Sequence, residues 1–462
     1  MKTKNILRIF LCTMFVLGSI AVQSQTKIYV NKSNGIPVEF NIADIDSISF
    51  NPDIRSLSVE LTSPITENTT LRDLGLPVDY IFNGSILYVQ NNAVLTIEPG
   101  VTIQFRKSSG ELYIQDGASL KAMGTADKHI QFTGPVDDKG SWYGIFIRTA
   151  RTSDELKNEL NYTEILNAGG GSPSGLNTAL QVEGTVDINN CLISGSATNG
   201  IELYDVGDGG TVLTSFSNNT ISDCNNAPIR TDYYAGTNAL RNMDNTNTFT
   251  GNAEAYIHIA NSQYGGGEVT VGNMTLPNLK GYPWYFENYL WLAGDQNFTV
   301  EAGAVLIMGS HCRIEVPINS HFIADGTAQA HITIKGLRSE AGYWDGIHIY
   351  SQTVGTKLNY CDISDGGGEE NSYMSNIYLY SGNGGGSANS YLEMNNTTVS
   401  NSQRYGIHCH DYDARYSRAT IISSNPASVT FSGCQLGNIY SDCDNRRYAI
   451  YPDLSSSCNL GY

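Results

Sequence analysis

Charged side chains recur at matched places in the first half of the chain, each shortly after an aliphatic residue that opens a short strand. The set consists of Glu183, Glu202, Arg230 and Asp232. Carboxylates beside a guanidinium would suit a calcium-dependent polysaccharide lyase, in which the cation neutralises a uronate carboxylate and a base removes the C5 proton. Another polysaccharide-active enzyme with paired carboxylates is compatible with the same residues. Opposite charges on neighbouring strands also serve stability alone, so a purely structural role stays open.

Tyrosine and histidine recur in a similar way further along the chain, on both sides of an apolar residue. The pairs are Tyr256 and His258, His348 and Tyr350, Tyr378 and Tyr380, and His408 and His410. Rings repeated at the strand spacing of about 4.8 Å would form a flat surface that binds sugars through their apolar faces. We therefore predict a ligand-binding surface for a polysaccharide or surface glycan. The alternative is that the rings stack only to stabilise the sheet.

His408 and His410 are also candidates for a metal site, with Asp411 beside them, because residues i and i+2 of a strand face the same way. One such pair without a third ligand does not define a site, so we expect no metal and no cofactor. Calcium is expected only under the lyase alternative. Cys361 and Cys409 alternate with aliphatic residues, which predicts that they are small core residues.

Short strands broken by Gly and Asn explain how these side chains could be aligned. Gly-Ile and similar openings predict inward-facing residues at Ile145, Leu180, Ile201, Ile229 and Ile257, and again at Ile347, Ile377 and Ile407. Strands of period two at coil lengths of about 20 to 35 residues are typical of a β-solenoid. The residues on either side of each inward position would then face outward, forming one row along the solenoid.

An internal duplication supports this architecture. The motif LTIEPGVTI at Leu95 reappears as FTVEAGAVL at Phe298, and GSWYGIFI at Gly140 reappears as GYWDGIHI at Gly342. GTADKHIQF matches GTAQAHITI, and LNYTEI matches LNYCDI, with a nearly constant offset of about 200 residues. A constant offset over four motifs indicates two homologous halves.

Charge and the amino terminus limit the functional classes. The net charge of −18 disfavours nucleic acid as a partner. The first eight residues carry basic side chains and no acid, and an apolar stretch from Ile9 to Val22 follows, which predicts an export signal. No later stretch reaches the roughly 18 apolar residues of a membrane span. We expect a periplasmic, outer-surface or extracellular protein of undetermined oligomeric state.

These motifs resemble a known group of proteins. LTIEPGVTIQF, LYIQDGASLKAMGTADKHIQFTG, WYGIFI and LNYTEI are similar to segments of exported right-handed parallel β-helix proteins of Bacteroidetes type. That group shares the pectate-lyase-like superfold, and the resemblance covers about Leu76 to Asn438. It implies the fold and leaves the activity open, because the superfold hosts lyases, hydrolases, epimerases and adhesins.

The sequence thus predicts an all-β protein, a right-handed parallel β-helix with two homologous halves and a small N-terminal β element. The predicted segments are a signal peptide (1–24), the β element (25–55), a linker (56–75), the first half (76–280), the second half (281–440) and a C-terminal cap or tail (441–462). The function that we favour is non-catalytic binding of carbohydrate or a surface. The alternatives are a calcium-dependent lyase and a structural envelope component.

Overall fold

A computed structural model defines the architecture of most of the chain. It describes residues 27–31, 37–41, 57–149, 157–171, 178–204, 212–231, 242–260, 268–271, 273–292, 294–368, 375–382, 389–411 and 419–441. The chain divides into two compact units, Met1–Leu57 and Ser58–Tyr462. The predicted signal peptide and the predicted cap beyond residue 441 lie outside the described residues.

The first unit contains an antiparallel hairpin. Strand β1 (Lys27–Asn31) pairs with β2 (Pro37–Asn41). Residues 42–55 of the predicted β element lie outside the described residues.

The second unit is a parallel β-helix, so the predicted fold class is confirmed. One sheet, here called the common sheet, runs through both halves. Its strands are β6 (Ile86–Val89), β9 (Glu111–Ile114), β12 (Gly144–Thr149), the first part of β15 (Thr178–Asn189), β17 (Asn199–Leu203), β20 (Ile229–Thr231), β22 (Ile257–Ile259), β25 (Trp284–Phe286), β28 (Val305–Met308), β31 (Ile332–Gly336), β34 (Cys361–Ser364), β37 (Thr398–Ser400) and β40 (Thr430–Ser432).

Two further sheets complete the coils of the first half. Sheet A contains β4 (Thr69–Leu71), β7 (Val94–Ile97), β10 (Ser119–Met123), β13 (Asn158–Asn161), the second part of β15 and β18 (Val212–Ser217). Sheet B contains β3 (Val59–Glu60), β5 (Tyr80–Phe82), β8 (Thr102–Phe105), β11 (Ile130–Thr133), β14 (Thr163–Leu166), β16 (Leu192–Ser194), β19 (Thr220–Ser222) and β21 (Thr248–Thr250).

Two different sheets complete the coils of the second half. Sheet C contains β23 (Glu268–Val271), β26 (Tyr289–Leu292), β29 (Arg313–Val316), β32 (Gly346–Ile349), β35 (Ser375–Ser381), β38 (Tyr405–Asp411) and β41 (Gly437–Ser441). Sheet D contains β24 (Met274–Leu276), β27 (Asn297–Val300), β30 (His321–Asp325), β33 (Lys357–Asn359), β36 (Ser390–Asn395) and β39 (Ala419–Ile422). A 3-10 turn, Pro426–Ser428, precedes β40. None of the helical segments in the described part of the chain is long and apolar enough to cross a membrane.

The prediction of a linker at residues 56–75 is wrong for residues 59–60 and 69–71, which form strands. Strand β3 pairs with β5, and β4 pairs with β7, so both belong to the solenoid. The sequence did not reveal this because β3 has two residues and β4 three, which is too short for alternation to be visible.

The core consists of inward-facing aliphatic columns, as predicted. Ile145, Leu180, Ile201 and Ile229 follow one another in register on adjacent coils of the common sheet, and all are fully buried. Each such side chain contributes about 1.5–3 kcal/mol through burial. Cys361 and Cys409 are also fully buried, which confirms their predicted place in the core.

The duplicated tryptophans have the same structural role in both halves. The Trp142 indole donates a hydrogen bond to the carbonyl of Leu166 at 2.8 Å, and the Trp344 indole donates to the carbonyl of Ser364 at 2.7 Å. Both rings are fully buried. The duplication therefore reflects packing and satisfied hydrogen bonds at equivalent corners.

The two halves are rotated by one face of the coil relative to each other. The motif at Leu95 occupies sheets A and B, whereas its copy at Phe298 occupies sheet D and the common sheet. Likewise, Ile145 lies in the common sheet, and the equivalent Ile347 lies in sheet C. Rows of side chains that look equivalent in the sequence therefore lie on different faces of the solenoid.

Candidate functional site

The outer side of sheet C carries stacked aromatic and imidazole rings. His348, Tyr378, His408 and Tyr440 follow one another in register on strands β32, β35, β38 and β41. The ring centres of His348 and Tyr378 are 5.3 Å apart, as are those of Tyr378 and His408. A second row, Tyr350, Tyr380 and His410, runs beside the first. We call these seven residues the aromatic face.

The second row contains one stacked ring pair and one tilted ring pair. The Tyr380 and His410 rings lie 5.3 Å apart and are inclined by 17°. Tyr350 and Tyr380 are 5.4 Å apart at 53°. All three side chains are half-buried, so each retains accessible surface.

The first row differs from the expectation of an exposed row. His348 and Tyr378 are each 1% exposed, and His408 is 3% exposed. These residues do face away from the core, but neighbouring rings cover them: Tyr378 lies within 6.4 Å of the ring centres of Tyr350, Tyr380 and His410. They form a supporting layer, and the accessible layer is the second row with Tyr440.

Burial keeps the imidazole of His348, a member of the supporting layer, uncharged. The pKa of His348 is lowered to about 3, chiefly by burial and also by the nearby Arg313 guanidinium, while a hydrogen bond with the carbonyl of Asp345 acts in the opposite direction. Arg313 is itself paired with Glu315, with Nη2 and Oε2 at 2.7 Å. The imidazole of His348 is therefore uncharged at neutral pH.

Tyr256 and His258 do not belong to the aromatic face, contrary to the prediction. His258 lies on β22 of the common sheet, in register with Arg230 on one side and Tyr285 on the other. The rotation between the halves is the physical reason, because it moves the equivalent row from the common sheet to sheet C.

The predicted lyase residues form a column on the common sheet. Gln181, Glu202 and Arg230 are in register on successive strands. The Arg230 guanidinium forms an ion pair and a short hydrogen bond with Glu202, and Arg148 lies 3.3 Å from Glu183. We call these residues the charged column. Asp232 lies outside the described residues.

Both described carboxylates of the charged column are thus neutralised by arginine. Burial lowers the pKa of Arg230, but the charge and hydrogen bond of Glu202, together with Tyr204 and Glu287, raise it, and the net shift is upward. The Glu202 carboxylate is poorly placed to bind calcium or accept a proton, because both would require breaking an ion pair that is largely shielded from bulk water.

No metal site is formed by the described residues. Within the ranges given above, no group of three or more His, Cys, Asp or Glu side chains could hold a metal ion. The His408 and His410 rings are 6.0 Å apart and perpendicular, at 88°. The side chain of Asp411 lies outside the described residues.

Sequence reasoning missed a cluster at the junction of the two halves. His258 Nε2 lies 3.2 Å from Glu287 Oε2, and His258 Nδ1 lies 3.6 Å from Glu254 Oε2. Burial lowers the pKa of His258, but the hydrogen bonds with Glu254 and Glu287 outweigh it, so the pKa is raised. Glu254 was visible four residues before His258, but Glu287 belongs to the next coil and needs the strand register to be found.

Comparison with known proteins gives one match. A family model described as a pectate-lyase like beta helix domain matches residues 64–223. No curated protein and no solved structure matches the chain. The matched segment contains Glu183 and Glu202 of the charged column and ends before the aromatic face, so the similarity supports the fold and does not bear on the rings of sheet C.

Proposed function

We propose that this protein is an exported, non-catalytic carbohydrate-binding β-helix and that the aromatic face binds the glycan. The observation that carries the proposal is the half-exposed Tyr380–His410 stack above a fully buried ring layer. A rigid ring surface of this kind loses little side-chain entropy when a ligand binds, because its rotamers are already fixed by packing.

The chemistry of the second row fits sugar rings. The faces of Tyr350 and Tyr380 are apolar and suit the C–H face of a pyranose, while phenol and imidazole edges can hydrogen-bond to hydroxyl groups. The repeat along the row equals the coil spacing, so a linear glycan could contact several rings at once. Export is proposed from the basic and apolar start of the sequence.

The test is binding of purified protein to a glycan array, followed by calorimetric titration with the best ligand. Tyr380→Ala should weaken binding about tenfold, corresponding to about 1.4 kcal/mol. His410→Ala should have a smaller effect of the same sign, because imidazole offers less area. Tyr88→Ala is the matched control: Tyr88 is half-buried, and its ring lies 5.6 Å from that of Tyr113, inclined by 59°, in the first half of the solenoid. Equal affinities for Tyr380→Ala and wild type would refute the role of the aromatic face.

A calcium-dependent lyase is the second candidate. It is favoured because the pectate-lyase-like family model matches the segment that contains Glu183 and Glu202 of the charged column. It is tested by absorbance of unsaturated uronates formed from acidic polysaccharides, with and without calcium. A calcium-dependent signal that Glu202→Gln abolishes would establish the lyase and overturn the non-catalytic proposal. Absence of glycan binding and of lyase activity in folded protein would favour the structural envelope role.

A further inference from the structure

A polar groove lies on the outer side of sheet A, in the first half of the solenoid, and shares no residue with the two sites above. Its volume is about 370 Å³, comparable with pockets that hold small ligands. Residues of four adjacent strands line it: Met123, Glu159, Leu160, Asn161, Asp187, Asn189, Asn190, Ser215 and Ser217.

Strand register arranges the lining in two columns. One column contains Lys121, Glu159, Asp187 and Ser215, and the other contains Met123, Asn161, Asn189 and Ser217. The register shifts between Val186 and Asp187, where β15 meets β18. Bulges of this kind bend a strand and often lie beside binding sites.

The second half of the chain contains an equivalent amide column, in which Asp325, Asn359 and Asn395 follow one another in register and hydrogen-bond to their neighbours. Asn359, the equivalent of Asn161, donates from Nδ2 to Asp325 Oδ1 at 3.2 Å. Asn395, the equivalent of Asn189, donates from Nδ2 to Asn359 Oδ1 at 3.1 Å. This row is closed by its own hydrogen bonds.

In the amide column the first half has Met123 where the second half has Asp325, and the neighbouring column also differs, with Lys121, Glu159 and Asp187 in place of Ile323, Lys357 and Glu393. Methionine offers no carboxylate, so among the described residues Asn161 Nδ2 has no acceptor, and Asn161 Oδ1 accepts instead from Asn190 at 2.9 Å. Asn189 Oδ1 accepts from Ser215 and Ser217, each at 2.8 Å, and its Nδ2 likewise has no described partner.

Two amide donors one coil apart are therefore left at the groove, beside a methionine that is 39% exposed. The charged wall residues are paired: Lys121 Nζ lies 2.5 Å from Glu159, and Lys157 pairs with Asp187. The wall thus has donors, acceptors and an apolar side chain but little net charge.

We propose that this groove is a second binding site, for a neutral sugar unit. The free amides would donate to ligand hydroxyl oxygens, and the carboxylates of Glu159 and Asp187 would accept from adjacent hydroxyl groups. Met123 would pack against the apolar face of the ring. Because both carboxylates are paired with lysines, the wall offers no uncompensated charge to attract a charged ligand, which favours a neutral one.

The equivalent positions Met123 and Asp325 of the two halves provide a variant and its matched control. Met123→Asp should give Asn161 the partner that Asp325 gives Asn359 and so close the groove. The reciprocal Asp325→Met alters the equivalent position of the second half and leaves the groove unchanged. Both are made in a Tyr380→Ala background, in which the aromatic face contributes about tenfold less to affinity. A further loss caused by Met123→Asp therefore reports on the groove, and failure of the groove is distinguishable from failure of the proposed function.

The probes are neutral hexasaccharides of β-1,4-glucan, β-1,4-mannan and α-1,6-mannan, titrated calorimetrically to millimolar concentration. We expect at least one probe to bind saturably to Tyr380→Ala, with affinity reduced at least tenfold by Met123→Asp and unaltered by Asp325→Met. Far-UV circular dichroism should show that Met123→Asp melts no lower than its background. Equal binding with Met123→Asp, or no saturable binding of any probe to the background, would overturn the proposal.

Discussion

Replacing Arg230 by Met should destabilise the β-helix strongly, because it leaves the Glu202 carboxylate buried without its partner. Glu202 is 4% exposed, and its side chain pairs with Arg230. Breaking a buried ion pair by removing one member costs about 3–5 kcal/mol. The Arg230 side chain is 26% exposed, so water reaches part of the site, and we expect the lower end, about 3 kcal/mol.

Two further variants isolate this cause. Arg148→Met removes the partner of Glu183, but the Arg148 side chain is 55% exposed, so the loss should stay below about 1 kcal/mol. The double variant Glu202→Leu/Arg230→Met removes both charges and should return to within about 1 kcal/mol of wild type, since apolar replacements of buried pairs are tolerated.

The measurement is urea unfolding at pH 7 followed by far-UV circular dichroism, because the solenoid signal reports on the strands around β20. The cost of Arg230→Met should shrink at acidic pH, since a protonated carboxyl is cheaper to bury. If Arg230→Met costs no more than Arg148→Met, Glu202 is solvated in solution and the pairing argument against a catalytic carboxylate fails.

Three other outcomes follow from buried groups. The pKa of His258 is raised, so its hydrogen bonds to Glu254 and Glu287 should stabilise the protein fully below the ordinary pKa of about 6.5 and be lost as pH rises through the higher value. The stability difference between wild type and His258→Gln, measured from pH 5.5 to 9, should therefore shrink with rising pH. A constant difference would contradict this. The pKa of His348 is lowered to about 3, so between pH 6.5 and 3 the unfolded chain binds a proton that the folded protein does not, and stability should fall as pH drops through this range. His348→Gln should flatten this dependence. Imidazole NMR signals of His348 that titrate between pH 5 and 8 would be inconsistent with burial. Trp142→Ala and Trp344→Ala should each cost about 3–5 kcal/mol in urea unfolding, and a much smaller loss for either would mean that the two corners are not equivalent.

The sequence predicted the coil from local features. Alternation around Ile145 and Ile347 identified the inward positions, since successive side chains of a strand point to opposite faces. Asn190 and Asn396, in equivalent turns of the two halves, both have the left-handed backbone (φ 55° and 48°) that asparagine tolerates. These properties depend only on neighbouring residues, which is why they can be read without the tertiary structure.

The candidate sites could be predicted only in part from the sequence, because they depend on residues of different coils. Sequence alone aligned His258 with His348, but the faces on which they lie depend on how many residues each coil uses, and the structure separates them. Burial of Tyr378 depends on rings from neighbouring strands, and no spacing rule contains that information.

What the sequence by itself determined is therefore the β-helix, its inward columns and its duplication, because each follows from the two-residue period of strands and the turn preferences of Gly and Asn. The tertiary structure decided which outward residues meet. In the folded chain one half is rotated against the other, and Glu202 pairs with Arg230. His348 is buried, and Asn161 lacks the acceptor that Asp325 provides for Asn359. Those contacts join residues about 28 to 38 positions apart, and only the register of stacked coils brings such residues together.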